Sequence, residues 1–199
     1  MEIIKHLQEL NENEDQDDLF DEVSLDSSFS RIKLSQFYGM ELDDFAHEVA
    51  ILSLWLAEHQ MNVEFKAEFG ECEPTLPLQN GGQIACGNAT LLDWASICPK
   101  GGEIMVLGNP PYLGFSQQSQ EQKSEIKKVW GKPIKLDYIS CWFKKASEFI
   151  QDINGKFSFV TTNSICQGEQ VALMWPAILK DKIEISFAIP SFKWTNVVA

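Results

Sequence analysis

The chain has 199 residues, enough for one ordinary domain, and 44% of them are hydrophobic, including six Trp and thirteen Phe, so a sizeable core can form. Its 29 Asp and Glu outweigh 16 Lys and Arg for a net charge of −13, a field that repels a phosphate backbone unless the cations gather on one face or are supplied elsewhere. Five widely spaced cysteines (Cys72, Cys86, Cys98, Cys141 and Cys166), with no C-x-x-C pair and none of His6, His47 or His59 beside one, argue against zinc and for reduced thiols in the cytoplasm. No apolar run approaches membrane-spanning length and the N-terminus lacks a signal-peptide pattern, so a soluble intracellular protein is expected.

In chain order, "MEIIKHLQEL" sets Ile3, Ile4, Leu7 and Leu10 on one helical face, and residues 11–26 carry eight acids without Lys or Arg, a solvated loop. Residues 1–30 thus form a helix and a partly disordered acidic loop, and residues 31–199 form the folded unit. Residues 32–40 read as a strand with Glu41 at its end. "DDFAHEVAILSLWLAEHQM" places Phe45, Val49, Leu52 and Leu56 on one stripe of a helix, with Asp43 and Asp44 at its positive N-terminal end. Residues 66–82 read as loop, "GQIACGN" as a strand, "ATLLDWASICPKGG" as a turn or short helix, and "EIMVLGN" as a strand. Residues 113–133, polar and Gln-rich, read as a long connection in which Gln117, Gln118 and Gln122 form a solvated loop over the strand ends. Then follow helix 134–152, strand 155–163, helix 168–181 and strand 182–190. The alternation predicts an α/β fold, a doubly wound, mostly parallel sheet with helices on both faces. Ligands of such sheets collect beyond the carboxyl ends of the strands, where Glu41, Asn88, Asn109 and Asn163 lie.

One corner needs explaining. Asn109-Pro110-Pro111-Tyr112 follows an apolar strand that runs into Gly108. Pro110 biases Asn109 to an extended conformation, and two prolines, with fixed φ and no N–H, cannot continue a helix or an inner strand. The result is a rigid edge with two acceptors, the Asn109 side-chain carbonyl and the Pro110 backbone carbonyl, beside the flat ring of Tyr112. Such an edge suits a planar group bearing an amine: adenine, cytosine and a glutamine side chain all qualify. Loop punctuation, with a tyrosine that merely packs, is the plainer alternative.

"GNPPY" after an apolar strand resembles the catalytic motif of S-adenosylmethionine-dependent amino-methyltransferases. Together with "YGMELDDFAHEVAILSLWLAEHQMN", "GNATLLDW" and "VLGNPPYLGFSQQ", the chain from about residue 32 onward is similar to the methylase part of single-chain type II restriction-modification enzymes, which methylate adenine in DNA. The resemblance implies a class I, Rossmann-like methyltransferase fold and S-adenosylmethionine as cofactor, with no metal. It implies that Glu41 binds the cofactor's ribose hydroxyls, that Leu42 packs on its adenine, and that Asn88 and the Ala89 backbone contact that ring. Asn109, Pro110, Pro111 and Tyr112 would act on a base flipped out of the duplex. Phe192 or Trp194 would stack on the base's other face. The plainer alternatives are a surface acid capping a helix for Glu41, a turn residue for Asn88, and core packing for Phe192 and Trp194.

The glycine-rich turn that cradles the cofactor's methionine part in this family is not found; Gly81-Gly82 and Gly101-Gly102 lie before the wrong strands. The expectation is therefore a fold incomplete at both ends, beginning just after its first strand and stopping before the last strand and any recognition domain. Double-stranded DNA would be met through that missing domain, and this piece would be weakly active or inactive. Two other readings stay open: a protein-glutamine or RNA methyltransferase, and a non-catalytic remnant whose unpaired strand edges lead to self-association.

Overall fold

The computed structural model describes residues 32–70, 83–180 and 183–193. The expected N-terminal helix and acidic loop, and Trp194, lie outside these residues.

Strand β1 (Tyr38–Glu41) leads into helix α1 (Asp44–Phe69), which returns to β2 (Gln83–Cys86). Asp43 caps α1 by accepting from the Ala46 N–H at 2.9 Å, Asp44 sits in the positive first turn, and Gly70, at φ 87°, closes the helix in the left-handed conformation. A short helix α2 (Trp94–Ile97) precedes β3 (Glu103–Gly108). Two helices follow, α3 (Gln120–Trp130) and α4 (Ser140–Ile150), before β4 (Asn154–Phe159); a 3-10 turn (Asn163–Cys166) and helix α5 (Glu169–Ile178) come last.

All strand pairing is parallel, as the alternation predicts, but the described strands do not make one sheet. They form two separate pairs, β1 with β2 and β3 with β4. Nor are both faces covered. On β3, Ile104 and Val106 turn toward a core cluster, while Met105 and Leu107 stand 63% and 77% exposed.

Several expected elements change. The strand expected over residues 32–40 is confined to Tyr38–Glu41, because a 3-10 turn at Leu34–Gln36 bends its first half. The strand expected over 182–190 is not formed in 183–190, where Ile185, Phe187 and Ile189 are all more than half exposed. Its alternating pattern offers two faces, but a strand also needs an edge to bond, and this segment pairs with none. The Gln-rich connection is largely α3, begun by a capping box in which Ser119 and Gln122 bond each other's backbone N–H. The apolar stripe of α1 does not pack: Phe45, Val49, Leu52 and Leu56 remain 42–77% exposed.

The core sits around α4. Leu136, Ile139, Phe143, Ile165, Met174 and Ile178 pack together where α5 crosses α4. Trp94, Ala146, Phe149 and Ile150 form a second cluster that Met40, Ile104 and Val106 adjoin. Ile126, Tyr138 and Cys141 join α3 to the start of α4. Met174→Ala, which empties a fully buried site, is expected to destabilise the protein by about 2–5 kcal/mol. Leu52→Ala, at a position 53% exposed, is expected to change stability by about 0.5 kcal/mol or less. Urea denaturation followed by circular dichroism compares the two.

Candidate functional site

The register of β3 and β4 pairs Gly108 with Phe159, so both strands end at one level and the chain leaves them side by side. The Val160 N–H donates to the Gly108 carbonyl at 3.0 Å, carrying the ladder one step further. Beyond that point the two exit segments part to form an open cleft of about 650 Å³, lined by Pro111, Tyr112, Leu113 and Gly114 on one side and by Gln117, Asp137, Thr162 and Ser164 around it. Pro110 is buried and anchors the corner; Asn109 and Pro111 are exposed, and Tyr112 keeps 42% of its surface in solvent. The Asn109 side chain bonds to no other described residue, so both its oxygen and its amide remain free for a ligand.

The segment beside this cleft is only in part the solvated loop that the Gln-rich sequence suggests: Gln117 is exposed on the cleft lining. Gln118 is only 5% exposed, and its Nε2 donates both to the Leu113 carbonyl at 3.0 Å and to the Leu136 carbonyl at 2.9 Å. The Tyr138 N–H donates to the same Leu113 carbonyl at 2.8 Å. The exit of the proline corner is thereby tied to the segment that enters α4. Sequence reasoning missed Asp137, which lines the cleft; a lone acid between two apolar residues reads as one more turn of helix.

The second group of expected residues lies at the ends of β1 and β2. The Glu41–Cys86 register pair and the Gly87 N–H, which donates to the Glu41 carbonyl at 2.7 Å, make these ends a joint shelf. Glu41 is exposed on it, and Leu42 is 70% exposed beside it. Asn88 and Ala89 follow, but part of their bonding capacity is already used. Asn88 Oδ1 accepts from the Thr90 N–H at 2.9 Å and the Thr90 hydroxyl at 2.7 Å, and the Ala89 carbonyl accepts from Trp94 Nε1 at 2.9 Å. The Asn88 amide also donates toward the Tyr138 hydroxyl, which leaves the Ala89 N–H as the donor with no hydrogen bond among the described residues. Cys86 Sγ donates to Asp44 Oδ1 at 3.0 Å, and that carboxylate pushes the thiol above its ordinary range, away from reactivity.

A polar post joins shelf and cleft. Glu125 on α3 accepts from the Tyr138 hydroxyl and lies 2.8 Å from the Thr90 hydroxyl, whose single proton it shares with Asn88 Oδ1. Burial, and then this carboxylate, push the Tyr138 phenol well above the ordinary tyrosine range. Burial likewise pushes the Cys141 thiol up to about 12. Lys145, its ammonium drawn down by burial, donates to the Leu92 carbonyl at 2.7 Å. Of the remaining expected residues, Phe192 is 58% exposed and is not among those that line the cleft.

Three comparisons bear on this arrangement. The model of the family described as MmeI, DNA-methyltransferase domain, matches residues 1–199. Over 171 residues the chain is 50% identical to DNA methyltransferase A of Bacillus subtilis (strain 168), a match covering 83% of the chain and 20% of that protein. It also resembles the type IIL restriction-modification enzyme MmeI, whose structure was solved in complex with DNA. That likeness has a TM-score of 0.74 at 39% identity and covers 84% of this chain and 23% of that one. The chain thus spans about one fifth of the length of the curated relative it matches.

The raised Tyr138 phenol has a signed consequence. A group whose folded pKa exceeds its unfolded value contributes stability that is fully present below the unfolded value, about 10 for tyrosine, and that is lost as pH rises through the folded value. Unfolding free energy is therefore expected to fall above about pH 10. Tyr138→Phe is expected to remove that part of the fall while costing about 1.5–3 kcal/mol at neutral pH through the lost bond to the Glu125 carboxylate. Denaturant titrations at a series of pH values test both.

Proposed function

This chain belongs to the MmeI DNA-methyltransferase domain family, and from that premise we propose that it is the catalytic core of an S-adenosylmethionine-dependent DNA adenine-N6 methyltransferase of the restriction-modification type. The observation that carries the reading is the cleft itself, with Pro111 and Tyr112 on its wall and Asn109 and Pro110 just before them in the chain, at the ends of two in-register parallel strands. Parallel strands joined through helices, and the likeness to MmeI, support a class I, Rossmann-like fold.

The residues fit their proposed roles. Asn109 Oδ1 and the Pro110 carbonyl would accept the two hydrogens of a flipped adenine's amino group, and would favour a tetrahedral nitrogen with its lone pair localised. Tyr112 would stack on the base, an interaction worth roughly 1–3 kcal/mol. The prolines hold the backbone of the corner, and with it the Pro110 carbonyl, before any ligand arrives, so less ordering remains at the moment of reaction. On the shelf, Glu41 would accept from ribose hydroxyls, exposed Leu42 would cover an adenine face, and Asn88 and Ala89 would donate to that ring's nitrogens. Bound there, S-adenosylmethionine supplies a methyl group on a positively charged sulfur, the electrophile. The proposed partner is double-stranded DNA gripped by a recognition domain outside this chain, since a net charge of −13 provides no electrostatic grip of its own.

Calorimetric titration with S-adenosylmethionine tests the shelf. Micromolar binding is expected, weakened about tenfold or more by Glu41→Ala, since a hydrogen bond to a charged group contributes about 1.5–3 kcal/mol. A chain that binds no cofactor at millimolar concentration, or binds equally without Glu41, would count against it.

A further inference from the structure

The cleft holds one ionisable side chain to which the proposed function gives no task. Asp137 is 9% exposed, yet it lines the same cavity as Pro111 and Tyr112. It is held firmly from behind. Its Oδ2 accepts from the Ser164 hydroxyl at 2.6 Å, its own N–H donates to Gln170 Oε1 at 2.9 Å, and the N–H of Tyr138 fixes the next peptide to Leu113. Ser164 is itself paired with the Thr162 hydroxyl at 2.6 Å. The other oxygen, Oδ1, has no hydrogen bond among the described residues. It lies toward Gly114, where an added Cβ would come within 3.6 Å, so the absence of a side chain there leaves it approachable.

A carboxylate so far withdrawn from water normally has a cation or several donors around it. Asp137 forms no ion pair among the described residues and receives one side-chain donor, on one oxygen. Oδ1 is thus left without a donor on the wall of the cleft that Pro111 and Tyr112 also line.

The proposed reaction also leaves a proton to be placed. When the amino nitrogen attacks, a C–N bond forms, the donor keeps the electron pair of the bond that breaks, and the nitrogen becomes positively charged with both N–H bonds intact. One of those protons must leave. The Asn109 and Pro110 oxygens accept hydrogen bonds, but amide and peptide carbonyls are far weaker proton bases than a carboxylate.

Resting on the adenine-methyltransferase reading, we propose that Asp137 is the proton acceptor of this site. One N–H bond breaks, its electron pair stays on nitrogen, and its proton passes to Asp137 Oδ1, in contact or through one water of the cleft. Ser164 acts as a positioning residue that holds Oδ2 and leaves Oδ1 facing the substrate.

The test uses the full-length protein that carries this chain, with Asp137→Asn and Ser164→Ala beside the wild type. The asparagine keeps an acceptor for Ser164 but cannot take the proton. Single-turnover methyl transfer, cofactor and DNA dissociation constants, and the fluorescence of an adenine analogue at the target position are measured for each. Asp137→Asn is expected to slow the chemical step about a hundredfold, the range of a lost acid–base group, with both dissociation constants and the extrusion signal unchanged. Ser164→Ala is expected to slow it much less. Asp137→Asn turning over like the wild type would overturn the proposal, as would a loss in Ser164→Ala equal to that in Asp137→Asn, which would make the carboxylate architectural. A wild type that neither extrudes the base nor transfers methyl would instead remove the adenine-methyltransferase reading, and this proposal with it.

Discussion

The carbonyl of Leu113 holds the cleft together. It takes two donors, Gln118 Nε2 and the Tyr138 N–H, at 3.0 and 2.8 Å. Through Gln118 it is joined to the Leu136 carbonyl, and so to the residues that open into α4, the most buried helix described. The proline corner could otherwise point its acceptors anywhere that its two exits allowed. With this carbonyl fixed, the corner is tied to the segment that carries Asp137 and, through it, to the hydrophobic clusters around α4. The arrangement has a cost: Gln118 Oε1 is buried without a partner among the described residues, a penalty of about 1–3 kcal/mol. A molecule that keeps such an atom is using the other end of the side chain for something that packing alone does not supply.

Much of this was legible in the sequence where local chemistry is decisive. Asp43 and Asp44 announced the start of α1, and Gly108-Asn109 followed by two prolines announced the end of β3. The parallel direction of the strands followed from their alternation with helices. What failed was whatever depends on a distant partner. Residues 183–190 have the alternation of a strand and no edge to bond, and the stripe of α1 has the period of a packed helix and no described surface against it. In the Gln-rich segment the signal was present but outweighed. Ser119 and Gln122 stand at capping-box spacing, yet the polarity of their surroundings read as solvent. Gln118 is harder still, because a glutamine that bonds two carbonyls far apart in sequence looks, locally, like its neighbours.

Asp137 shows the same limit from the functional side. Nothing next to it in sequence marks it, since its partners Ser164 and Gln170 come more than twenty residues later. It becomes visible only when β3 and β4 bring their exits together. The Asn-Pro-Pro-Tyr corner needs no such help, because its stiffness is intrinsic to its residues. A motif read from sequence is thus the part of a site that is rigid by itself, and the acid beside it is the part that tertiary structure must position.

The two ligand-facing surfaces rest on very different foundations. The cleft stands on α4 and its clusters, whereas the shelf stands on β1, β2 and α1, in which no described residue is fully buried. Thinly covered elements open locally at a free energy below that of global unfolding. Amide protons of α1 should therefore exchange with solvent well before those of α4. A small molecule that settles on the shelf must first find it closed, so its apparent affinity is its intrinsic affinity reduced by the open fraction. Once in place it acts as a brace, raising the free energy needed to open these elements.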